Sequence, residues 1–160
     1  MARLSDLKLS HRAIIAAYSF RKYDWRPGTR LVKPLSESRI ALITTAGLFL
    51  KLQPPFRHSI RHDDCSFREI PDNANLAELK IGQSSDAFDH TGIEADRNLA
   101  FPLDRLHEEA AAGHIGSSAP RHFSIMGSIL APAALINETG PTIARKLRED
   151  ATDGVLLVPV

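Results

Sequence analysis

A chain of 160 residues, 43% hydrophobic and 24% charged, suits one globular domain with a sizeable core. Its net charge of +1 gives no footing for nucleic acid, and no apolar run approaches the roughly 18 residues of a membrane span. The single cysteine, Cys65, excludes an internal disulfide, a CxxC redox pair and a multi-cysteine zinc site within the chain.

The N-terminal stretch holds only a short apolar patch, AIIAAY, with charge close behind and no small-residue cleavage site. The chain is therefore read as cytoplasmic. Residues 3–23 are expected to be helical, since Leu4, Leu7, Ile14, Ile15 and Tyr18 recur at roughly helical spacing, with Ser10 as N-cap. Tyr23 to Pro34 carries Pro27, Gly28 and Pro34 and reads as an extended surface connection. The basic residues around it (Arg21, Lys22, Arg26, Arg30, Lys33) read best as a solvated face, with a docking patch for an acidic partner as the sharper alternative.

Arg39 to Gly47, RIALITTAG, is the clearest strand. It is apolar and β-branched without clean alternation, as in a parallel strand covered on both faces. Ligands of open α/β sheets bind beyond such carboxyl ends, which makes Thr44 and Thr45 candidate binding residues. TTAG is no dinucleotide fingerprint, and no glycine-rich phosphate loop occurs elsewhere. Lys51 to Asp64 is loop, broken by Pro54 and Pro55; its His58, His62, Asp63 and Asp64 read as a polar loop before a metal site. Cys65 to Ile70 alternates as a short strand, with Cys65 a small buried hydrophobe rather than a nucleophile. A short helix over Asn75 to Leu79 and a brief strand over Leu79 to Ile81 follow.

Ser84 to Leu106, SSDAFDHTGIEADRNLAFPLDRL, is dense in polar groups between apolar segments, and such loops carry function. Asp86, Asp89, His90, Glu94 and Asp96 have the chemistry of acids, bases or hard-metal ligands. By composition alone most of them cap turns and helices; Asn98 or Asp96 suits the helix after Pro102. That helix runs Pro102 to Ala112, with Leu103 and Leu106 inward and Gly113 as its stop. Arg121 to Ile129 is strand-like; its His122 is equally a satisfied structural histidine or a reactive one. Pro132 to Asp150 is amphipathic, with Leu135, Ile136, Ile143, Ala144 and Leu147 on one stripe and Pro141 kinking or dividing it. Asp153 and Gly154 turn the chain into VLLVPV, a buried strand closing half of a βαβ unit.

The blocks SHRAIIAAYSFRKYDW, LVKPLSESRIALITTAG, PPF, SFREIP, SDAFDHTGIEADRNLAFPLDRL, GHIGSSAPRHFSIMGS and ARKLREDATDGVLLVPV resemble, in order, those of the selenoprotein B family. Its members are the substrate-activating subunits of glycine, sarcosine, betaine and D-proline reductases and their bacterial relatives. The resemblance implies a Rossmann-like, three-layer α/β domain with a mainly parallel sheet, incomplete at the C-terminus. Residues 1–34 form the N-terminal helix and connection, and residues 35–160 the sheet-forming core of a single domain. It implies a selenocysteine or cysteine just after the strand that VLLVPV matches, whose selenolate or thiolate displaces an amine from the carbon α to a carboxylate. The sequence stops at Val160, before that position. A UGA codon read as a stop is the preferred explanation, a truncated gene the other.

The expectation is thus an oxidoreductase subunit acting on an amine or amino-acid substrate with partner reductase subunits. It has no catalytic residue within the 160 residues, no metal and no cofactor beyond a selenocysteine after Val160. Thr44, Thr45, Asp86, Asp89, His90, Asp96 and Asn98 are its substrate-binding candidates. The alternative is a catalytically inactive, truncated binding or regulatory domain; a hard-metal hydrolase built on the Asp/His loop is the weakest reading.

Overall fold

The computed structural model describes residues 8–17, 24, 28–57, 64–83, 90–127 and 129–160. The chain divides into Met1–Arg30 and Leu31–Val160. In the first unit α1 spans Leu9–Ala17, so Ser10 lies in its first turn and not at the cap position expected for it.

The second unit is built on β1, Arg39–Thr44. Along its full length β1 pairs in parallel with β7, Gly154–Val158, from Ile40 opposite Gly154 to Thr44 opposite Val158. Its other edge takes the parallel strands β5, Ser117–Ser118, and β6, Arg121–Ile125. These are one line interrupted at Pro120, which has no amide hydrogen to give a ladder. Opposite the interruption the Leu42 amide donates to His122 Nδ1 at 3.0 Å. β3, Phe67–Pro71, adds antiparallel to β6. A small ribbon of β2, Leu48–Phe49, and β4, Lys80–Ile81, stands off the carboxyl end of β1.

Both faces of β1 are covered. Ile40 and Leu42 pack with Ile93 of α2, His90–Ala95, and with Leu103 and Leu106 of α3, Leu103–Ala111. Ala41 on the opposite face packs with Phe123 and with Ile143 and Leu147 of α4, Gly140–Glu149. The domain is therefore α/β, with helices on both sides of a mainly parallel sheet. Successive β1–α3–β6 and β6–α4–β7 connections run in opposite directions across the sheet. The right-handedness of such crossovers places their helices on opposite faces, as found.

Two expectations needed correction. Pro132 to Asp150 divides next to Pro141, one of the two outcomes expected of that proline, but does not keep one stripe: a π-helical segment, Leu135–Thr139, precedes α4, and Pro141 sits in the first turn of α4. Pro141 has no amide hydrogen, which suits the change of bonding pattern there. Ile136 consequently faces solvent, while Ile143 and Leu147 are buried. β7 is likewise not buried: Val155, Leu156 and Leu157 are 39%, 47% and 66% exposed. Among the described residues no strand pairs with its outer edge, so only the β1 side of the strand is covered.

The amino edge of the sheet is cross-braced. Arg121 binds Asp150 through Nε at 2.5 Å and Glu69 through Nη1 at 3.2 Å, and Lys146 reaches Glu69 at 2.9 Å. These partners raise the Arg121 pKa, Asp150 first among them, and burial opposes the rise. Asp153 accepts from the Arg39 amide at 3.0 Å and pairs with Lys33 at 2.9 Å. Asp72 Oδ1 accepts from Ser118 Oγ at 2.5 Å, His107 Nε2 at 2.8 Å and His122 Nε2 at 3.1 Å. Since His122 Nδ1 accepts the Leu42 amide, its proton sits on Nε2, and the buried ring is neutral and satisfied at both nitrogens. Of the two readings of His122, the structure gives the structural one. Burial pushes the His122 pKa down against the pull of Asp72. Burial alone would raise the Asp72 pKa, but its three donors outweigh it and hold the carboxyl below the usual range.

Candidate functional site

Chain order across the parallel strands, β6-β1-β7, makes the carboxyl edge between β1 and β7 a topological switch point. In a parallel order with the first strand between the next two, the edge beside the first strand is where open α/β sheets hold ligands. Thr45 stands at that edge. Its amide donates to Val158 O at 3.2 Å, and its Oγ1 accepts from the Val160 amide at 2.9 Å. The hydroxyl thus ties the last residues of β7 to the end of β1. Thr44, one residue earlier, is fully buried and its Oγ1 accepts from the Ala46 amide at 3.1 Å. It shapes the turn and does not face the crevice as expected of a binding residue.

The turn itself depends on glycine. Gly47 has φ 64°, and a Cβ there would stand 2.5 Å from Met126 Sδ. Its carbonyl accepts from the Gly82 amide at 2.8 Å, which brings the strand β4 back to the carboxyl edge. A Cβ on Gly127 would stand 3.1 Å from Thr45 O and 3.4 Å from Gln83 Nε2. Gln83, buried, is thereby packed between the ends of β1 and β6. Sequence reasoning passed over it, though it immediately precedes the polar Ser84 loop.

Asp86 and Asp89 lie outside the described residues. His90 is the first residue of α2. His90 is half-buried and lines a cleft of about 700 Å3 with Lys51, Lys80, Glu94 and Arg97. Leu79 and the half-buried Ile81 also belong to its lining. Arg97 joins its two sides, donating through Nε to Leu79 O at 3.2 Å and through Nη1 to Ile93 O.

Asp96 and Asn98 have local work. Asp96 Oδ1 accepts from the Asn98 amide at 2.9 Å, capping the 3-10 turn Arg97–Leu99. Asn98 Oδ1 accepts from the Asp104 amide at 3.1 Å and its Nδ2 donates to Asp104 Oδ2 at 2.9 Å, securing the first turn of α3. The capping foreseen for Asn98 is what it does. Both also border a smaller hollow of about 270 Å3. The site residues thus fall into three groups: Thr45 at the crevice, His90 at the cleft, and Thr44, Asp96 and Asn98 in local turns. Cys65 precedes β3, three strands from β7, or about 14 Å at the ordinary strand spacing. It is not at the switch point.

The profile of the family described as Glycine/sarcosine/betaine reductase selenoprotein B matches residues 6–160. The chain belongs to this family. Among curated relatives of this family member is the D-proline reductase subunit gamma of Acetoanaerobium sticklandii, 35% identical over 133 residues. Those residues are 83% of this chain and 52% of that protein, so the chain spans about half the length of the relative. No solved structure matches it. Within the family match, all the elements that form the crevice and the cleft are included. No described helix is long and apolar enough to cross a membrane.

Proposed function

We propose that the chain forms the substrate-holding part of an amino-acid reductase of the glycine, sarcosine, betaine or D-proline type. The reaction would be reductive C–N cleavage of an amine or amino acid, carried out with partner reductase subunits. The observation that carries this reading is the β1–β7 switch point within a chain of the selenoprotein B family. A selenol or thiol presented there would supply the nucleophile that displaces the amine from the carbon α to the carboxylate. Cys65 stands too far from that point to serve.

What the described residues contribute is position. Thr45 holds the ends of β1 and β7 together, fixing the approach to the crevice. Gln83 and Gly127 close its β6 side, and Gly47 lets the β2–β4 ribbon stand beside it. The half-buried His90 opens α2 and lines the neighbouring cleft.

The test uses the chain together with whatever is encoded in frame beyond Val160. Dithiol oxidation is followed with D-proline, glycine, sarcosine and betaine offered in turn, with the partner subunits of the A. sticklandii reductase present. Turnover of one of them, abolished when the added selenocysteine or cysteine is replaced by serine, is the expected result. No substrate-dependent oxidation with any of the four, or no selenocysteine or cysteine in the added sequence, would overturn the reading.

A further inference from the structure

The cleft between β4 and α2 carries charge of both signs that nothing nearby uses. Lys51, Lys80 and Glu94 line it, all are exposed, and among the described residues their side chains form no ion pair. The other charged groups of the wall are committed. Arg97 spends its guanidinium on Leu79 O and Ile93 O, and Glu78 accepts from Asn75 Nδ2 at 3.3 Å. Two ammonium groups and one carboxylate are left around a lining that includes the half-buried Ile81.

Charge of one sign would suit a phosphate or a metal ion. A mixed set beside an aliphatic side chain suits a small molecule with opposite charges at its two ends and an aliphatic body between. The volume, about 700 Å3, is in the ordinary range for small-molecule sites and ample for an amino acid. The rigid part of the wall, the Arg97 bridge, would keep β4 and α2 at a constant separation whether or not a ligand is present.

We infer that this cleft holds a zwitterionic small molecule by both ends: its carboxylate on Lys51 and Lys80, its ammonium on Glu94, its aliphatic part against Ile81. The inference rests on the proposed function for the identity of the zwitterion and adds a binding place apart from the β1–β7 crevice. Lys51, Lys80 and Glu94 are binding residues in this scheme, not groups that take part in bond breaking. Charge-assisted contacts of this kind are the stronger hydrogen bonds, and their loss is read directly in affinity.

The experiment is calorimetric titration of the 160-residue chain, with amide chemical shifts followed in parallel. The probes are D-proline, pyrrolidine, which keeps only the amine, and propionate, which keeps only the carboxylate. D-proline is expected to move the amides of Lys80, Ile81 and Glu94, and each single-charge probe to bind at least about tenfold more weakly. The variant with Lys51→Met and Lys80→Met, and separately Glu94→Gln, should each weaken D-proline about tenfold or more, with unchanged melting. All three side chains are exposed, so the variants fold. If D-proline binds but shifts Thr45 and Gln83 while these variants bind it normally, the cleft assignment falls and the proposed function stands. Pyrrolidine binding as tightly as D-proline also overturns the cleft assignment. If none of D-proline, glycine, sarcosine and betaine binds the chain, the cleft assignment falls, while the proposed function stands or falls on turnover by the extended chain.

Discussion

The two edges of the sheet are built to different ends. At the amino edge nearly every charge has a partner: Arg121 with Asp150 and Glu69, Lys146 with Glu69, Lys33 with Asp153, and two histidines and a serine on Asp72. At the carboxyl side, the β1–β7 crevice is tied by the Thr45 hydroxyl and backbone, and the neighbouring cleft leaves Lys51, Lys80 and Glu94 unengaged among the described residues. Satisfied polar groups stabilise and orient; unsatisfied ones at a concave surface are available to a ligand. The division teaches where a substitution should cost stability and where it should cost binding.

The largest effect expected is at the amino edge. Asp72→Ala removes one acceptor from three donors, one of them the buried Nε2–H of His122, and should lower stability by about 3 kcal/mol. Denaturant unfolding measures this; a loss under about 1 kcal/mol would mean that the cluster is not a brace. Next comes Gly47→Ala at the carboxyl side, where a positive φ and the approach of Met126 Sδ both oppose a side chain. A loss of about 2 kcal/mol is expected. Part of it should return when Met126→Ala is added, and a double-mutant cycle separates the contact from the backbone strain.

A pH titration of stability sharpens the comparison. Burial lowers the folded-state pKa of His122, so the unfolded chain takes the proton more readily. The stability due to the neutral ring is full above the unfolded value of about 6.5 and is lost as pH falls through the lower folded value. Asp72, also depressed, adds a second loss that begins only below its unfolded value of about 3.9. His122→Asn, which retains an acceptor and a donor, should remove the first bend and leave the second. An unchanged bend near pH 6 in that variant would assign it to another group. The smallest stability effect expected is from Thr45→Val, under about 1 kcal/mol, because its hydroxyl bond is exposed. The same substitution should impair turnover in the reconstituted reductase more than it impairs melting; equal effects would remove Thr45 from the site.

Much of the architecture was legible because it depends on neighbours in sequence. The β-branched run at Arg39 marks β1, Pro102 and Gly113 bracket α3, and the Asn98 side chain caps the helix just ahead of it. The blocks from SHRAII to VLLVPV placed the chain in its family, and the profile match over residues 6–160 agrees. The π-helical segment before α4 and the exposure of Ile136 were not legible, because helical periodicity reads the same through a change in hydrogen-bond spacing.

The sequence by itself determined the α/β alternation, the covered character of β1, the main turns and the family, since these follow from local composition, spacing and motif order. Only the tertiary structure decided that β1 lies between β6 and β7, and hence where the crevice is. It alone joined Asp72 to His122 across 50 residues, and Thr45 to Val160 across 115. Lys51 likewise meets Glu94 around one cleft only because the β2–β4 ribbon folds back at Gly47 and Gly82. Strand order and the meeting of distant side chains come from packing two apolar faces of one sheet at once, a condition on the whole chain that no short stretch encodes.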